Sequence, residues 1–89
     1  MTKLKNVEKV LKALSNSRRL EIVLYLRKNR ESTVSNIAEA VKLSFRSTSK
    51  HLSVLRLAGL VDREQRSSEM WYFSTIETST IANAVISKL

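Results

Sequence analysis

Arg46, Lys50 and the serines Ser47, Ser49 and Ser53 form the grouping in this chain with the clearest chemistry. All of them donate hydrogen bonds and none carries negative charge. On a helix turning about 100° per residue, Thr48, Leu52 and Leu55 fall on one side. Arg46, Lys50, Ser53 and Leu57 then point the other way, with Ser47, Ser49 and Val54 on the flanks. A helix fits the major groove of B-form DNA, where Arg and Lys donate to guanine O6 and N7. Serines are short enough for close approach and serve base edges or phosphates alike. Ser44, just before this helix, adds a hydroxyl beside the free backbone N–H groups that favour a phosphate. An ordinary solvated helix face has much the same composition, so this face alone leaves both readings open.

A second basic group follows. Arg63 and Arg66 precede Ser67 and Ser68 at the tip of a short hairpin, where small side chains let a nucleic-acid backbone approach. Arg66, nearer the tip, is the stronger candidate of the two. Glu64 and Glu69 are also placed to pair with these arginines, which would leave a solvated hairpin. Trp71, Tyr72 and Phe73 have the rings that stack on single-stranded bases, but in a short strand they read as packing residues. His51 lies about 60° from the inward side of its helix, a position that suits packing or local hydrogen bonding better than a phosphate contact. No phosphate loop, cysteine nucleophile or histidine–carboxylate constellation points to an enzyme. No catalytic, cofactor-binding or metal-binding residue is assigned.

The elements that position these groups follow from periodicity. Leu4, Val7, Leu11 and Leu14 recur at helical spacing, widened by Val10, and predict a first amphipathic helix. Asn16 is placed to cap a second helix from Ser17 to about Lys28. Its apolar residues, Leu20, Ile22, Val23, Leu24 and Leu26, lie on several sides, as expected for the central core element. Residues 29–32 read as a polar break. Thr33, or alternatively Ser35, caps a third helix with Val34, Ile37, Ala38 and Val41 as its apolar face. Lys42 and Leu43 form a turn, and Ser44 caps the fourth helix, which runs to about Ala58. Gly59, the only glycine, is placed to stop it in the left-handed conformation. Residues 60–66 and 69–74 read as strands joined at Ser67 and Ser68, and a last helix spans residues 76–89 with Ile81, Ala84, Val85 and Leu89 as its stripe. The fold class is mainly α with a small β wing: a winged helix-turn-helix in the order α-α-α-α-β-β-α.

Composition narrows the function. The 89 residues suffice for one small domain, and 43% are hydrophobic, as in a folded chain. Sixteen Lys and Arg against eight acids give a formal charge of +8. Six of the basic residues and two of the acids lie between Lys42 and Arg66, which puts half the net charge there. Such local enrichment favours a polyanionic partner. The absence of cysteine removes disulfides, thiol redox chemistry and thiolate metal ligation. No run approaches a membrane span, and the helical spacing of the N-terminus argues against a signal peptide, so a cytoplasmic protein without a membrane partner is expected.

From about Val10 to Thr75 the chain resembles the ArsR family of winged-helix transcriptional regulators. The resemblance rests on ALSNSRRLEIVLYL, then on SNIAEAVKLSFRSTSKHLSVLRLAGLV, and last on EMWYF. Within the second stretch, Ser44 matches the serine that opens the family's recognition helix. Ser49, His51 and Leu52 match its Ser-x-His-Leu run, and Ala58 to Val61 match its Ala-Gly-Leu-Val exit. The resemblance implies a homodimer on an inverted-repeat operator, usually acting as a repressor, with the first and last helices forming the interface. Leu4, Val7, Leu11, Ile81, Val85 and Leu89 are the expected interface residues, although the same stripes also suit closure of the monomer core. Residues 1–89 are then one winged-helix DNA-binding domain. Its expected DNA contacts are Ser44, Arg46, Ser47, Ser49, Lys50, Ser53, Arg63 and Arg66, and its partners are double-stranded DNA and a second copy of the chain. A protein-interaction module and a non-specific architectural nucleic-acid binder are the alternatives. Thr33 and Ser35 stand where many relatives carry metal-binding cysteines, and the last stretch offers only Glu77 and no histidine. Hydroxyls bind soft metals poorly, so both family metal sites are expected to be missing. No effector is assigned.

Overall fold

Three arginines of one helix tie the ends of three others together. A computed structural model of the chain describes residues 2–89; Met1, the first residue of the predicted domain, lies outside them. Helix α1 spans Thr2–Leu14, α2 Ser17–Asn29, α3 Val34–Val41, α4 Phe45–Leu57 and α5 Thr80–Ile86. From α2, Arg19 donates through Nε to Ala13 O at 2.6 Å and through Nη2 to Lys12 O at 3.2 Å. Arg18 Nη1 donates to Val41 O at 2.6 Å, and Arg27 Nη1 to Ile86 O at 3.0 Å. Terminal carbonyls of α1, α3 and α5 that lack intrahelical partners are satisfied by cations at the negative helix ends.

Helix α2 is the central element, as its many-sided apolar sequence predicts. Ile22, Val23 and Leu26 are completely buried against Ile37 of α3, Leu52 and Leu55 of α4, and Leu60. The predicted caps form. Asn16 accepts from Arg19 N, Thr33 from Asn36 N, and Ser44 from Ser47 N. Gly59 follows α4 with φ +76, the left-handed value for which the lack of a Cβ suits it.

The sheet holds one strand more than the sequence order anticipates. Strand β1 covers Glu31–Thr33, β2 Val61–Arg66 and β3 Glu69–Ser74, all antiparallel in the order β1-β3-β2. Residues 31 and 32 fall in the expected polar break but pair with Phe73 and Tyr72. Three polar residues carry no strand pattern of their own; the free edge of β3 recruits them. Thr33 ends β1 and caps α3, which leaves no loop between them.

The last predicted helix is also shorter. A 3-10 turn occupies Ile76–Thr78, Ser79 caps α5 by accepting from Ala82 N at 3.2 Å, and Leu89 lies beyond the helix. Local hydroxyl bonds, including Thr78 Oγ1 to Thr75 O at 2.7 Å, compete with a continuous helix. The face of α5 buried in the core is Ala82 and Ile86, not the anticipated stripe. Val85 and Leu89 stay exposed, as do Leu4 and Leu11 of α1, while Val7 and Ile81 are half-buried in a cleft between α1 and α5.

Candidate nucleic-acid interface

Helices α3 and α4, joined through Lys42, Leu43 and Ser44, form the helix-turn-helix. Lys42 takes the left-handed conformation, φ 57 and ψ 48, and its N–H closes the end of α3 on Ala38 O and Glu39 O. This reversal brings α4 across α3 and frees its first turn. Thr48, Leu52 and Leu55 are fully buried, as the spacing requires. Their burial fixes the rotation of α4. Arg46, Lys50 and Ser53 are therefore exposed, and Ser47 and Ser49 are half-exposed on the flanks.

The charge environment of this face is simple. The helix contains no acid, and neither Arg46 nor Lys50 joins an ion pair among the described residues. Ser44 Oγ accepts from Ser47 N at 3.0 Å, which leaves its own O–H free to donate. The N-terminus of α4 thus presents two free cations, several hydroxyls and unpaired backbone N–H groups, the usual equipment for phosphates and base edges. Phe45 heads the same helix and is exposed, 59% of its surface reaching solvent. Three residues before Thr48 and seven before Leu52, it continues the inward stripe by spacing, but at the first position of the helix that stripe runs past the core and beside the wing, at Ser68, Glu69 and Met70.

His51 is half-buried on the flank, as expected. Arg19 Nη1 lies 3.4 Å from His51 Nδ1. A guanidinium only donates, so Nδ1 accepts and the ring proton sits on Nε2. Burial first, then Arg19 and Arg18, lower the His51 pKa and favour the neutral ring. The histidine acts as a local acceptor on the flank of the recognition helix, toward Arg19 of α2.

The wing is built differently. Ser67 and Ser68 form its two-residue turn, closed by the Arg66–Glu69 pair. Ser67 has φ 56, in a position where hairpin turns usually place glycine. Arg63 Nη1 donates to Tyr72 Oη at 3.3 Å across the ladder. Arg66 is held on three sides. Its Nη1 and Nη2 meet Glu31 Oε2 and Oε1 at 2.6 and 2.9 Å, and its Nε meets Glu64 Oε1 at 2.6 Å. The guanidinium also lies over Trp71, 5.1 Å from the ring centroid. Hydrogen bonds from Arg66 hold the Glu31 carboxyl below the usual range, and the two carboxylates raise the Arg66 pKa. Pairing with Glu64 was visible in the sequence. The stronger bidentate partner, Glu31, was not, because only β1 brings it there. Of the aromatic strand, Tyr72 is buried and Trp71 and Phe73 are half-buried, in keeping with packing.

Among the described residues no three histidine, cysteine, aspartate or glutamate side chains cluster as metal ligands would. Nor is any described helix long and apolar enough to cross a membrane.

Comparison with known proteins bears on this surface. The model of the arsR family of bacterial regulatory proteins matches residues 16–63. The transcriptional activator HlyU of Vibrio cholerae serotype O1 is 36% identical over 63 residues, which are 71% of this chain and 57% of that protein. The chain thus spans little more than half the length of this curated relative. Among solved structures, the homodimeric winged helix-turn-helix DNA-binding domain Mb0332 of Mycobacterium bovis, a possible ArsR-family regulator, superposes with a TM-score of 0.87. It shares 30% identity over 98% of this chain and 80% of that one. Reduced HlyU from Vibrio cholerae gives a TM-score of 0.81 at 31% identity, covering 99% of this chain and 88% of its own.

Proposed function

Because this chain belongs to the arsR family of bacterial regulatory proteins, we propose that it is a homodimeric transcriptional regulator that binds double-stranded DNA sequence-specifically. It carries out no covalent chemistry; the relatives named above are regulators or DNA-binding domains. The observation that carries this reading is the first half of α4. Its inward side is locked by burial, and its outward side offers Arg46 and Lys50 without a competing acid. Ser44, Ser47, Ser49 and Ser53 complete the base and phosphate contacts, and Arg63 and Arg66 of the wing reach the flanking backbone.

The dimer is proposed from the surface that the fold leaves uncovered. Leu4, Leu11, Val85 and Leu89 remain exposed on α1 and at the C-terminal end, with Val7 and Ile81 in the cleft between them. A two-fold axis through this surface would bury them and set two recognition helices one turn of DNA apart, about 34–36 Å. Residues 1–89 work as one DNA-binding unit in this scheme, in the cytoplasm where the DNA is. We take regulation to be repression, by occupancy of an inverted repeat. HlyU is named an activator, so a reporter carrying the operator between promoter and gene is the appropriate check. Output that rises when the protein is expressed would overturn repression.

The principal test is titration of the chain against its own upstream DNA and a scrambled duplex across salt concentrations. Both complexes are expected to weaken as salt rises, with the upstream duplex bound more tightly throughout. Equal affinity at every salt concentration would sink the operator reading. Sedimentation of the free protein is expected to report a dimer that Leu11→Glu with Val85→Glu dissociates. A wild-type monomer at all concentrations would remove the two-fold scheme.

A further inference from the structure

Phe45 is the first residue of the recognition helix, directly after the Ser44 cap and directly before Arg46. With 59% of its surface exposed, it belongs neither to the buried core nor to the partly buried residues packed against it. It borders a cleft whose other walls are the start of α3, at Thr33, Val34 and Ser35, and the wing, at Ser68, Glu69 and Met70. The ring is therefore propped at the junction of α4 and the wing, with a large part of it facing out. Along the helix it is flanked by Ser44 and Arg46, with Ser49 one turn on, and these groups recognise phosphates and polar base edges. A phenyl ring offers nothing to a phosphate. In the major groove, one base carries an apolar group for it: thymine, with its C5-methyl. The N-terminal residues of a helix-turn-helix recognition helix are the ones that approach base edges.

We infer that Phe45 is a specificity-determining residue that packs against the C5-methyl of a thymine in each half-site. This deepens the DNA-binding reading and rests on it. Arg46 and Lys50 supply polar contacts to neighbouring positions, while Phe45 selects by apolar contact and rejects a base edge that lacks a methyl group.

The experiment begins with selection of duplexes from a random pool by the wild-type protein. Each thymine in the selected site is then replaced by deoxyuridine, which removes only the methyl. Affinities are measured for wild type and for Phe45→Ala, with thermal melting to verify that the exposed substitution leaves the fold intact. One symmetry-related thymine per half-site is expected at which deoxyuridine weakens wild type about fourfold, the worth of one buried methyl. Phe45→Ala is expected to bind thymine and deoxyuridine there equally. Selective wild-type binding in which no thymine shows a loss that vanishes in Phe45→Ala overturns the Phe45 assignment and leaves the operator reading standing. A uniform loss on every duplex, without a methyl effect, also overturns it and places the ring against the sugar–phosphate wall. A pool that enriches no sequence overturns both readings.

Discussion

The first turns of α4 and the tip of the wing carry the same residue types, arginine and serine, in opposite electrostatic situations. On α4, Arg46 and Lys50 share a helix face with no acid and no ion-pair partner among the described residues. On the wing, Arg66 is bound bidentately by Glu31, singly by Glu64, and stacked over Trp71. A phosphate approaching α4 meets cations that have only water to lose. A phosphate approaching the wing must displace two carboxylates from an arginine or bind beside them. Basic residues are not equal contributors to nucleic-acid binding. Their availability depends on what else holds them, and here that differs within about twenty residues of chain.

The largest expected effect lies on α4. Arg46→Ala and Lys50→Ala are each expected to cost about 1–3 kcal/mol of operator affinity, and to relax preference at one base position if the contact is to a base. If both variants bind operator and scrambled duplex like wild type, the difference between the two regions is electrostatic only and has no functional meaning. Next comes release of the wing. Glu31→Gln removes the bidentate partner of Arg66 and is expected to strengthen binding to any duplex at low salt. The slope of log affinity against log salt should steepen by up to about one phosphate contact per wing. No change in slope would mean that Glu31 does not compete with DNA for Arg66.

A smaller effect concerns stability against pH. The Glu31 carboxyl is held below its unfolded range. The stabilisation from the clamp is therefore fully present above the ordinary glutamate pKa, about 4.3, and is lost as pH falls through the depressed folded value. Urea midpoints of wild type and Arg66→Ala should differ slightly near neutrality and converge in acid, since solvent screens this surface pair. A gap that widens in acid contradicts the proposed role of Glu31. The smallest effect is at the turn. Ser67 holds φ 56 without being glycine, so Ser67→Gly is expected to raise stability by no more than about 1 kcal/mol, relief of backbone strain being offset by a more flexible unfolded chain. A thermal melt detects it, and a lower melting temperature would show that the serine side chain contributes more than the strain removes.

Much of the α4 side of this comparison was legible in the residues. Ser44, Asn16 and Thr33 cap helices through bonds three residues long, and Thr48, Leu52 and Leu55 face inward because helical spacing places them together. The wing was legible only in part. Its strands and its serine turn followed from residue type, and Glu64 was close enough in sequence to be suspected. Glu31 is 35 positions from Arg66, in a stretch that reads as a polar break and becomes a strand only when β3 offers its edge. The terminal elements show the same limit. A stripe at Ile81, Ala84, Val85 and Leu89 was visible, yet Ala82 and Ile86 are the residues that α5 buries. Periodicity reports that a face is apolar and not which element will cover it.

By itself, then, the sequence determined the first four helices, the caps of the second, third and fourth, the hairpin and the outward chemistry of the recognition helix, because these depend on interactions between residues a few positions apart. Only the tertiary structure decided that Arg18, Arg19 and Arg27 serve as helix-end clamps, that Arg66 is held by Glu31, and that Leu4, Leu11 and Val85 are left exposed. Those outcomes depend on which distant segments meet, and the free energy of such meetings belongs to pairs of surfaces that no local window of residues contains.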